Sequence, residues 1–316
     1  MTRYKIILNP QSGGGAGKHS IPKIKSHLRE NNLNFELVCT QSPWHASQLA
    51  QQAVDDGFDV VVAAGGDGTS NEVINGLMRS KEIGATATMG VLPIGQGNDF
   101  AFGLDIPLDL ESSCRTLAQG HHRIIDIGHV QGGLRPEGRY FGNGTGIGFD
   151  TIVGFEALKL KRLHGFPAYL VGALKTIFLF YRAPTLRLEL DDKTLTLPSL
   201  MVSIMNGRRM GGGFLMAPHG DPEDGYFDLC IVGEVSRLKI LPLITRFLSG
   251  SQGTHPKVQF QQAKRITVRA LTGVLPTHAD GETVSTEHTT LIFELLPQQL
   301  EIITQPCLKK DNLDHH

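Results

Sequence analysis

Two glycine-rich turns and two acidic turns are the places where this chain could do chemistry. The aliphatic run Val60 to Ala64 enters Gly65-Gly66-Asp67-Gly68-Thr69-Ser70-Asn71-Glu72. Glycines let backbone N–H groups approach phosphate oxygens closely, and a helix opening behind them adds donors and a favourable dipole. Thr69 and Glu72 have the spacing of a capping box, which places a helix start here. Asp67, at the C-terminal end of the strand, stands where open parallel sheets place ligand-binding residues. A second turn, Pro93-Ile94-Gly95-Gln96-Gly97-Asn98-Asp99-Phe100, follows the next strand and is expected beside the first. A single Gly-Gly-x-Gly turn is equally an ordinary strand-to-helix corner. Two polar glycine loops at one sheet edge point instead to a ligand.

Asp280-Gly281-Glu282 reads either as a hairpin turn or as a pair of working carboxylates. Phosphoryl transfer needs a positioned acceptor hydroxyl, a carboxylate to take its proton, and a cation to offset phosphate charge. Asp221-Pro222-Glu223-Asp224-Gly225-Tyr226 offers the hard oxygen ligands that Mg prefers, or else is a solvated acidic loop. Gly13 to Lys18 imitates a P-loop but has Ser12 in place of its first glycine and His19 in place of its Ser or Thr. Gly142-Asn143-Gly144-Thr145-Gly146 lacks the spacing of a dinucleotide fingerprint. The histidines, His121-His122 among them, show no metal spacing and read as surface residues. No basic run with interleaved aromatics is present, which argues against nucleic-acid binding.

The elements that must position these turns divide into two textures. Tyr4 to Leu8, Phe35 to Val38, Asp59 to Ala64 and Met89 to Pro93 read as strands with helices between them, which predicts a parallel sheet covered on both faces. Ala46, Leu49, Ala50, Ala53 and Val54 mark one buried helix face. After about Asp126, Leu186 to Leu190, Leu195 to Met205, Tyr226 to Val232, Val258 to Ala270 and Thr289 to Leu295 read as mainly antiparallel strands. Helical patterns around Phe155 to Tyr181 and Ser236 to Leu248 interrupt them. The expectation is an α/β nucleotide-binding domain over 1–126 and a β-sandwich over 127–296. The strand-like Leu300 to Thr304 could pair with either sheet, and the segment 297–308 is a candidate to pack back on the first domain.

Gly65-Gly66-Asp67-Gly68-Thr69 resembles the GGDGT signature of the diacylglycerol kinase catalytic family, which also includes sphingosine, ceramide and bacterial lipid kinases. NAD kinases share that core, but other segments separate the two. Asn9-Pro10 with Ser12-Gly13 is similar to the lipid kinases' opening motif, Thr40 falls where their nucleotide-binding Thr follows the second strand, and Asn98-Asp99-Phe100-Ala101 matches their second loop. Gly211-Gly212-Gly213, Ala217-Pro218, Asp224-Gly225 and Asp280-Gly281-Glu282 continue the series. Gln96 departs from the pattern, standing where the family usually has Thr.

The resemblance implies a lipid kinase that uses ATP and Mg2+, most simply converting diacylglycerol to phosphatidic acid. Asn9, Thr40, Gly65, Gly66, Asp67, Gly68, Thr69, Asn71, Gly95, Gln96 and Asn98 would meet the nucleotide. Glu282 would accept the proton, with Asp280 close by and Asp67 helping to hold Mg and water. A further metal would sit on the Asp224 carboxylate and the main-chain oxygens of Asp221 and Tyr226. An apolar groove between the domains is the expected acceptor site. The alternatives are a kinase for a soluble acceptor such as NAD, and a weakly catalytic nucleotide- or lipid-binding regulator.

The 316 residues suffice for two cores, and 40% apolar with 19% charged residues is a globular profile. A net charge of −1 names no partner, so attraction to a membrane would need a local basic patch. Lys159, Lys161 and Arg162 precede the apolar Phe166 to Tyr181, and Arg237, Lys239 and Arg246 punctuate Leu238 to Leu248. Each is a membrane-surface candidate, or equally a helix packed on the second sheet. Scattered Cys39, Cys114, Cys230 and Cys307, and an opening stretch without a secretory apolar region, lead to an expected cytoplasmic protein that visits the membrane transiently. An exposed strand edge could support a homodimer.

Overall fold

β1 (Arg3–Leu8), β2 (Asn34–Cys39), β3 (Val60–Gly65) and β4 (Thr88–Pro93) pair in parallel in the order β4-β3-β1-β2. The computed structural model describes residues 1–158, 171–172, 175–176 and 183–306. Every residue of β3 is buried, as an unbroken aliphatic run must be when helices cover both faces of a sheet. On one face, α2 (His45–Asp55) and α3 (Asp67–Glu82) pack Ala50, Ala53, Ile74 and Leu77 against Ile7, Val61, Ala63 and Met89. On the other, Ile24 and Leu28 of α1 (Ala16–Glu30) and Leu117 of α5 (Leu110–Gln119) cover Ile6, Leu8, Val62 and Leu92. The short α4 (Asp99–Gly103) follows the second glycine turn.

Antiparallel strands build the second half: β5 (His121–Gln131), β6 (Arg139–Phe141), β7 (Gly144–Gly148), β8 (Thr185–Leu190), β9 (Lys193–Met205), β10 (Phe227–Gly233), β11 (Val258–Ala263), β12 (Arg265–Ala270), β13 (Thr277–Ala279), β14 (Glu282–Ser285) and β15 (Thr290–Thr304). Phe141, Ile204, Phe227, Val268 and Phe293 lie in their common core. α6 (Phe149–Leu158) and α7 (Arg237–Ser249) accompany them, and α7 packs Ile240, Leu243 and Phe247 against Phe149, Met201 and Val232. The basic Lys159, Lys161 and Arg162 lie outside the described residues, as does most of the Phe166 to Tyr181 stretch. No helix among the described residues is long and apolar enough to cross a membrane. Cys39, Cys114 and Cys230 are free thiols.

Three sequence expectations change. Val258 to Ala270 is two strands, because Asp191 accepts hydrogen bonds from the N–H groups of Lys264 and Arg265 where the chain leaves β11, which pairs with β10, for β12, which pairs with β8 and β15. Thr289 to Leu295 and Leu300 to Thr304 form one strand. β15 crosses Pro297-Gln298-Gln299 through a register shift, with Gln298 in the left-handed region and its N–H held by Asp126 Oδ1 at 2.8 Å. Its first part pairs with β12 and β5, and Ile302 pairs in parallel with Met89 of β4, so this strand joins the two halves. The third change concerns the start of α3. Thr69 and Glu72 form no capping box: the N-cap is Gly66, without a side-chain bond, and Glu72 accepts from the N–H groups of Trp44 and Ala46 at the start of α2.

Gly76 is where α3 crosses α2: a Cβ there would lie 2.4 Å from Ser47 O and 2.7 Å from Ala50 Cβ. Gly76→Ala should therefore destabilise the chain by about 1–3 kcal/mol through overpacking, measured by chemical denaturation. An unchanged midpoint would show that α2 moves aside freely.

Candidate functional site

The glycine turns meet through their backbones. Gly65 ends β3, and a Cβ on it would strike Thr69 Oγ1 at 2.3 Å. A Cβ on Gly95 would lie 2.5 Å from Gly66 Cα, so the two loops can touch only while both are bare there. Asn98, at φ 52°, clamps the second loop: its Oδ1 accepts from Gly95 N at 3.0 Å and its Nδ2 donates to Gly95 O at 2.9 Å. Gln96 is exposed at the tip. Asn9 follows β1 and donates from Nδ2 to Thr69 Oγ1 at 3.3 Å, and Thr40 donates its N–H to Leu8 O just beyond β2. Asn9, Thr40, Gly65 to Thr69 and Gly95 to Asn98 thus gather at the C-terminal edge of the parallel sheet. Asn71 does not join them. It is fully buried, donating from Nδ2 to Tyr140 O and Asp280 Oδ2 and accepting from Arg139 Nε, so it has no group to offer the cleft.

Three aspartates converge on this edge. Asp67 Oδ1 accepts from Phe100 N at 3.0 Å, while a Cβ on Gly97 would lie 2.9 Å from Asp67 Oδ2 and 3.5 Å from Asp99 Oδ2. Burial, and then the charges of Asp99 and Asp280, push the Asp67 carboxyl up to about 7. Asp99 is compensated: Arg209 Nε donates to its Oδ1 at 2.6 Å and Gly212 N to its Oδ2 at 2.8 Å. Arg209 also donates to Gly97 O, so the Gly211 to Gly213 segment is fastened to the second loop.

Asp280 and Gly281 form a two-residue turn between β13 and β14, both with positive φ (48° and 85°), as a type I′ hairpin demands. The turn reading of this motif holds, and its two carboxylates face different surroundings. Asp280 points inward, where Oδ1 accepts from Asn143 N and Gly144 N and Oδ2 from Gly142 N and Asn71 Nδ2, all at 2.9–3.0 Å. With both oxygens saturated, it fixes the hairpin and has no free edge for a reacting proton. Glu282 is different: partly exposed, it carries Oε1 to 3.1 Å from the point where Gly68 would bear a Cβ. Its Oε2 lies 3.7 Å from Arg139 Nη2. Arg139 is buried under the Trp44 ring, with its guanidinium carbon 4.5 Å from the centroid. Sequence reasoning missed Arg139, Trp44 and Arg209 as site residues. It also set aside Gly142 to Gly144, the N–H row that grips Asp280. Asp99 was in view as part of the second-loop motif.

The acidic turn lies apart. Asp224 Oδ1 accepts from Tyr226 N, Asp221 Oδ1 from Glu223 N, and the buried Asp126 takes Gly225 N at 2.8 Å. None of these bonds reaches Asp67 or Glu282. Burial, followed by the charges of Asp221 and Asp126, raises the Asp224 carboxyl, a strain that a cation would relieve. The donors are all oxygens, which suits a hard divalent ion. Among the described residues no three His, Cys, Asp or Glu side chains are grouped to hold a metal, so an ion here would depend on main-chain carbonyls such as those of Asp221 and Tyr226.

A small apolar cavity lies within the second half, between α6, β9 and α7. Phe149, Val153, Met210, Phe214, Leu243 and Phe247 form much of its wall. Its polar floor is Asp150 and His278, which are 8% and 6% exposed. Asp150 Oδ2 is buried without a hydrogen-bond partner. A Cβ on Gly146 would lie 1.9 Å from that oxygen and 2.7 Å from His278 Nε2, which puts the two groups side by side. Burial pushes Asp150 up to about 7 and His278 down to about 4, so both tend toward their neutral forms.

Residues 3–130 match the model of the diacylglycerol kinase catalytic domain, and residues 144–304 that of the YegS C-terminal NAD kinase beta sandwich-like domain. A diacylglycerol kinase of Staphylococcus saprophyticus is 31% identical over 281 residues, 89% of this chain and 88% of that one. One from Staphylococcus aureus is 32% identical over 89% and 86%. Among solved structures, a diacylglycerol kinase from Bacillus anthracis superposes with a TM-score of 0.72 at 20% identity, covering 96% of this chain and 97% of that one. An NAD kinase from Archaeoglobus fulgidus in complex with ATP gives 0.53 at 12% identity over 96% and 94%. At those identities the two structures establish the fold alone, an α/β domain followed by a mostly antiparallel one.

A carboxyl whose folded value is raised favours the protonated form, so its ionisation costs stability as pH rises from the unfolded value of 3.8 toward about 7. Asp67→Asn keeps an oxygen for Phe100 N and removes that charge. At pH 8 without divalent ions the variant should be more stable than wild type by on the order of 1–3 kcal/mol, the gap closing below pH 4. Thermal unfolding across pH measures this, and a gap that does not change with pH would mean that Asp67 ionises freely.

Proposed function

The chain belongs to the diacylglycerol kinase family, and from that premise we propose that it transfers the γ-phosphate of Mg-ATP to the hydroxyl of a membrane lipid, with diacylglycerol as the acceptor. The observation that carries the reading is the meeting of Glu282 with Gly68. A carboxylate from the second half stands directly over a glycine loop of the first, where a bound nucleotide's phosphates and an acceptor hydroxyl would come together.

Each group then has a task. Bare N–H groups of the Gly65 to Thr69 and Gly95 to Asn98 turns receive phosphate oxygens, with Asn9 and Thr40 at the same edge for the rest of the nucleotide. Glu282, held by Arg139, takes the proton of the attacking hydroxyl. Asp280 fixes the hairpin that aims Glu282. Asp67, the aspartate of this edge without a compensating cation, is the residue to hold Mg. When bound, Mg offsets charge on the phosphates. A second ion on Asp224 and the carbonyls of Asp221 and Tyr226 would brace the acidic turn against Asp126, away from the reacting atoms.

The cavity supports a neutral glyceride as acceptor. Its walls suit acyl chains, and Asp150 and His278 offer a hydroxyl one free oxygen and an imidazole. Among the described residues no Lys or Arg lines it. An acceptor carrying phosphate, such as NAD or phosphatidylglycerol, would lose water there without gaining a counter-charge.

Transfer of labelled γ-phosphate from Mg-ATP to a panel of lipids in mixed micelles, with NAD included, tests the reading. Diacylglycerol should take the label, and Glu282→Gln should lower turnover by about 10²–10⁴-fold while ATP binding persists. Label in NAD alone would move the chain to the soluble-acceptor kinases. Undiminished turnover in Glu282→Gln would remove Glu282 from the role of base.

A further inference from the structure

α7 presents two apolar stripes. Ile240, Leu243 and Phe247 face inward and wall the cavity. Leu238, Leu241, Thr245 and Leu248, spaced i, i+3, i+7 and i+10, run along the outer side, where all four are exposed and Leu238 is 79% so. Single exposed leucines are ordinary, but three aligned on the outer side of one helix make a contiguous apolar strip of the kind that marks an interaction surface. Lys239 and Arg246, seven residues apart, follow one flank of it, and no acidic residue occurs between Arg237 and Ser249. Lys257, beyond the helix, adds to the same positive field: burial and then the charges of Arg246, Lys239 and Lys257 depress the His255 imidazole.

We propose that the outer face of α7 docks the protein on an anionic lipid bilayer. The leucines enter the interface while Lys239, Arg246 and Lys257 meet the headgroups, as amphipathic helices lying in the plane of a membrane do. The inference rests on the lipid-kinase reading in one respect. The helix that would touch the bilayer is also a wall of the acceptor cavity, so docking would bring that cavity to the lipid without requiring the acceptor to cross water. A net charge of −1 makes the local patch necessary, since the whole molecule is not drawn to an anionic surface.

The test is co-sedimentation of the full chain with vesicles of phosphatidylcholine alone or mixed with phosphatidylglycerol, in parallel with phosphate transfer to a short-chain diacylglycerol dispersed below its micellar concentration. Wild type should prefer the anionic vesicles. Lys239→Gln should weaken that binding about fivefold, and Leu238→Asn with Lys239→Gln at least tenfold, with unchanged thermal unfolding and unchanged turnover on the dispersed acceptor. Double-variant binding equal to wild type, or no wild-type preference for anionic vesicles, would overturn the docking surface. Binding that depends on α7 without transfer to the short-chain acceptor would support the docking surface and overturn the kinase reading alone.

Discussion

The structure depends on the four hydrogen bonds that end on the Asp280 carboxylate. A buried carboxylate is costly unless donors surround it. Here three consecutive N–H groups, Gly142 to Gly144, and the Asn71 amide supply them. Burial still holds this carboxyl above its ordinary value, against the pull of those donors. The contact spans the molecule: Asn71 is on α3, Gly142 to Gly144 lead into β7, and Asp280 turns the β13–β14 hairpin. One interaction therefore fixes the helix that follows the first glycine loop relative to the strand that bears Glu282. Without it, the approach of Glu282 to Gly68 would be left to the long Arg139 side chain.

Charge at the sheet edge is arranged unevenly, and the unevenness matters chemically. Asp99 has Arg209 and a backbone N–H, and Asp280 has four donors. Asp67 has the Phe100 and Asp99 N–H groups, no cation among the described residues, and two like-charged neighbours. The fold thus leaves one carboxylate under-compensated at the edge of the parallel sheet, a free-energy cost that a bound cation converts into affinity. Asp150 repeats the pattern in the cavity, where a single buried oxygen lacks a partner among apolar walls.

Much of this was legible in the residues, for physical reasons that differ by element. β3 and β4 were readable because strands buried on both faces are unbroken aliphatic runs, and the glycine loops because only glycine tolerates the contact of Gly95 with Gly66. β5, β13 and β14 escaped notice: His121-His122-Arg123 opens β5, and the two hairpin strands are three and four residues long. β15 looked like two strands because Pro297-Gln298-Gln299 has the composition of a turn, whereas the chain passes it as a bulge pinned by Asp126. Local spacing misled at Thr69 and Glu72, since the glutamate found a partner on another helix. Arg139 had no signal at all, because its importance comes from Trp44, Asn71 and Glu282, residues remote from it in the chain.

The hairpin that carries Glu282 also carries His278, and this joins the two candidate chemistries. His278 lies on β13, and Asp280, two residues on, opens the turn that follows it. His278 reaches the cavity floor beside Asp150, while Asp280 grips the Gly142 to Gly144 row. Gly281 N lies 3.4 Å from His278 Nδ1, so the turn itself bonds back toward the cavity. One short hairpin thus touches the apolar cavity, the structural clasp and the glycine loop in succession. Whatever occupies the cavity next to His278 is separated from the Glu282 carboxylate by the length of that hairpin end. In the lipid-kinase reading proposed above, acceptor selection and proton transfer would then meet on one hairpin rather than on two domains that must find each other.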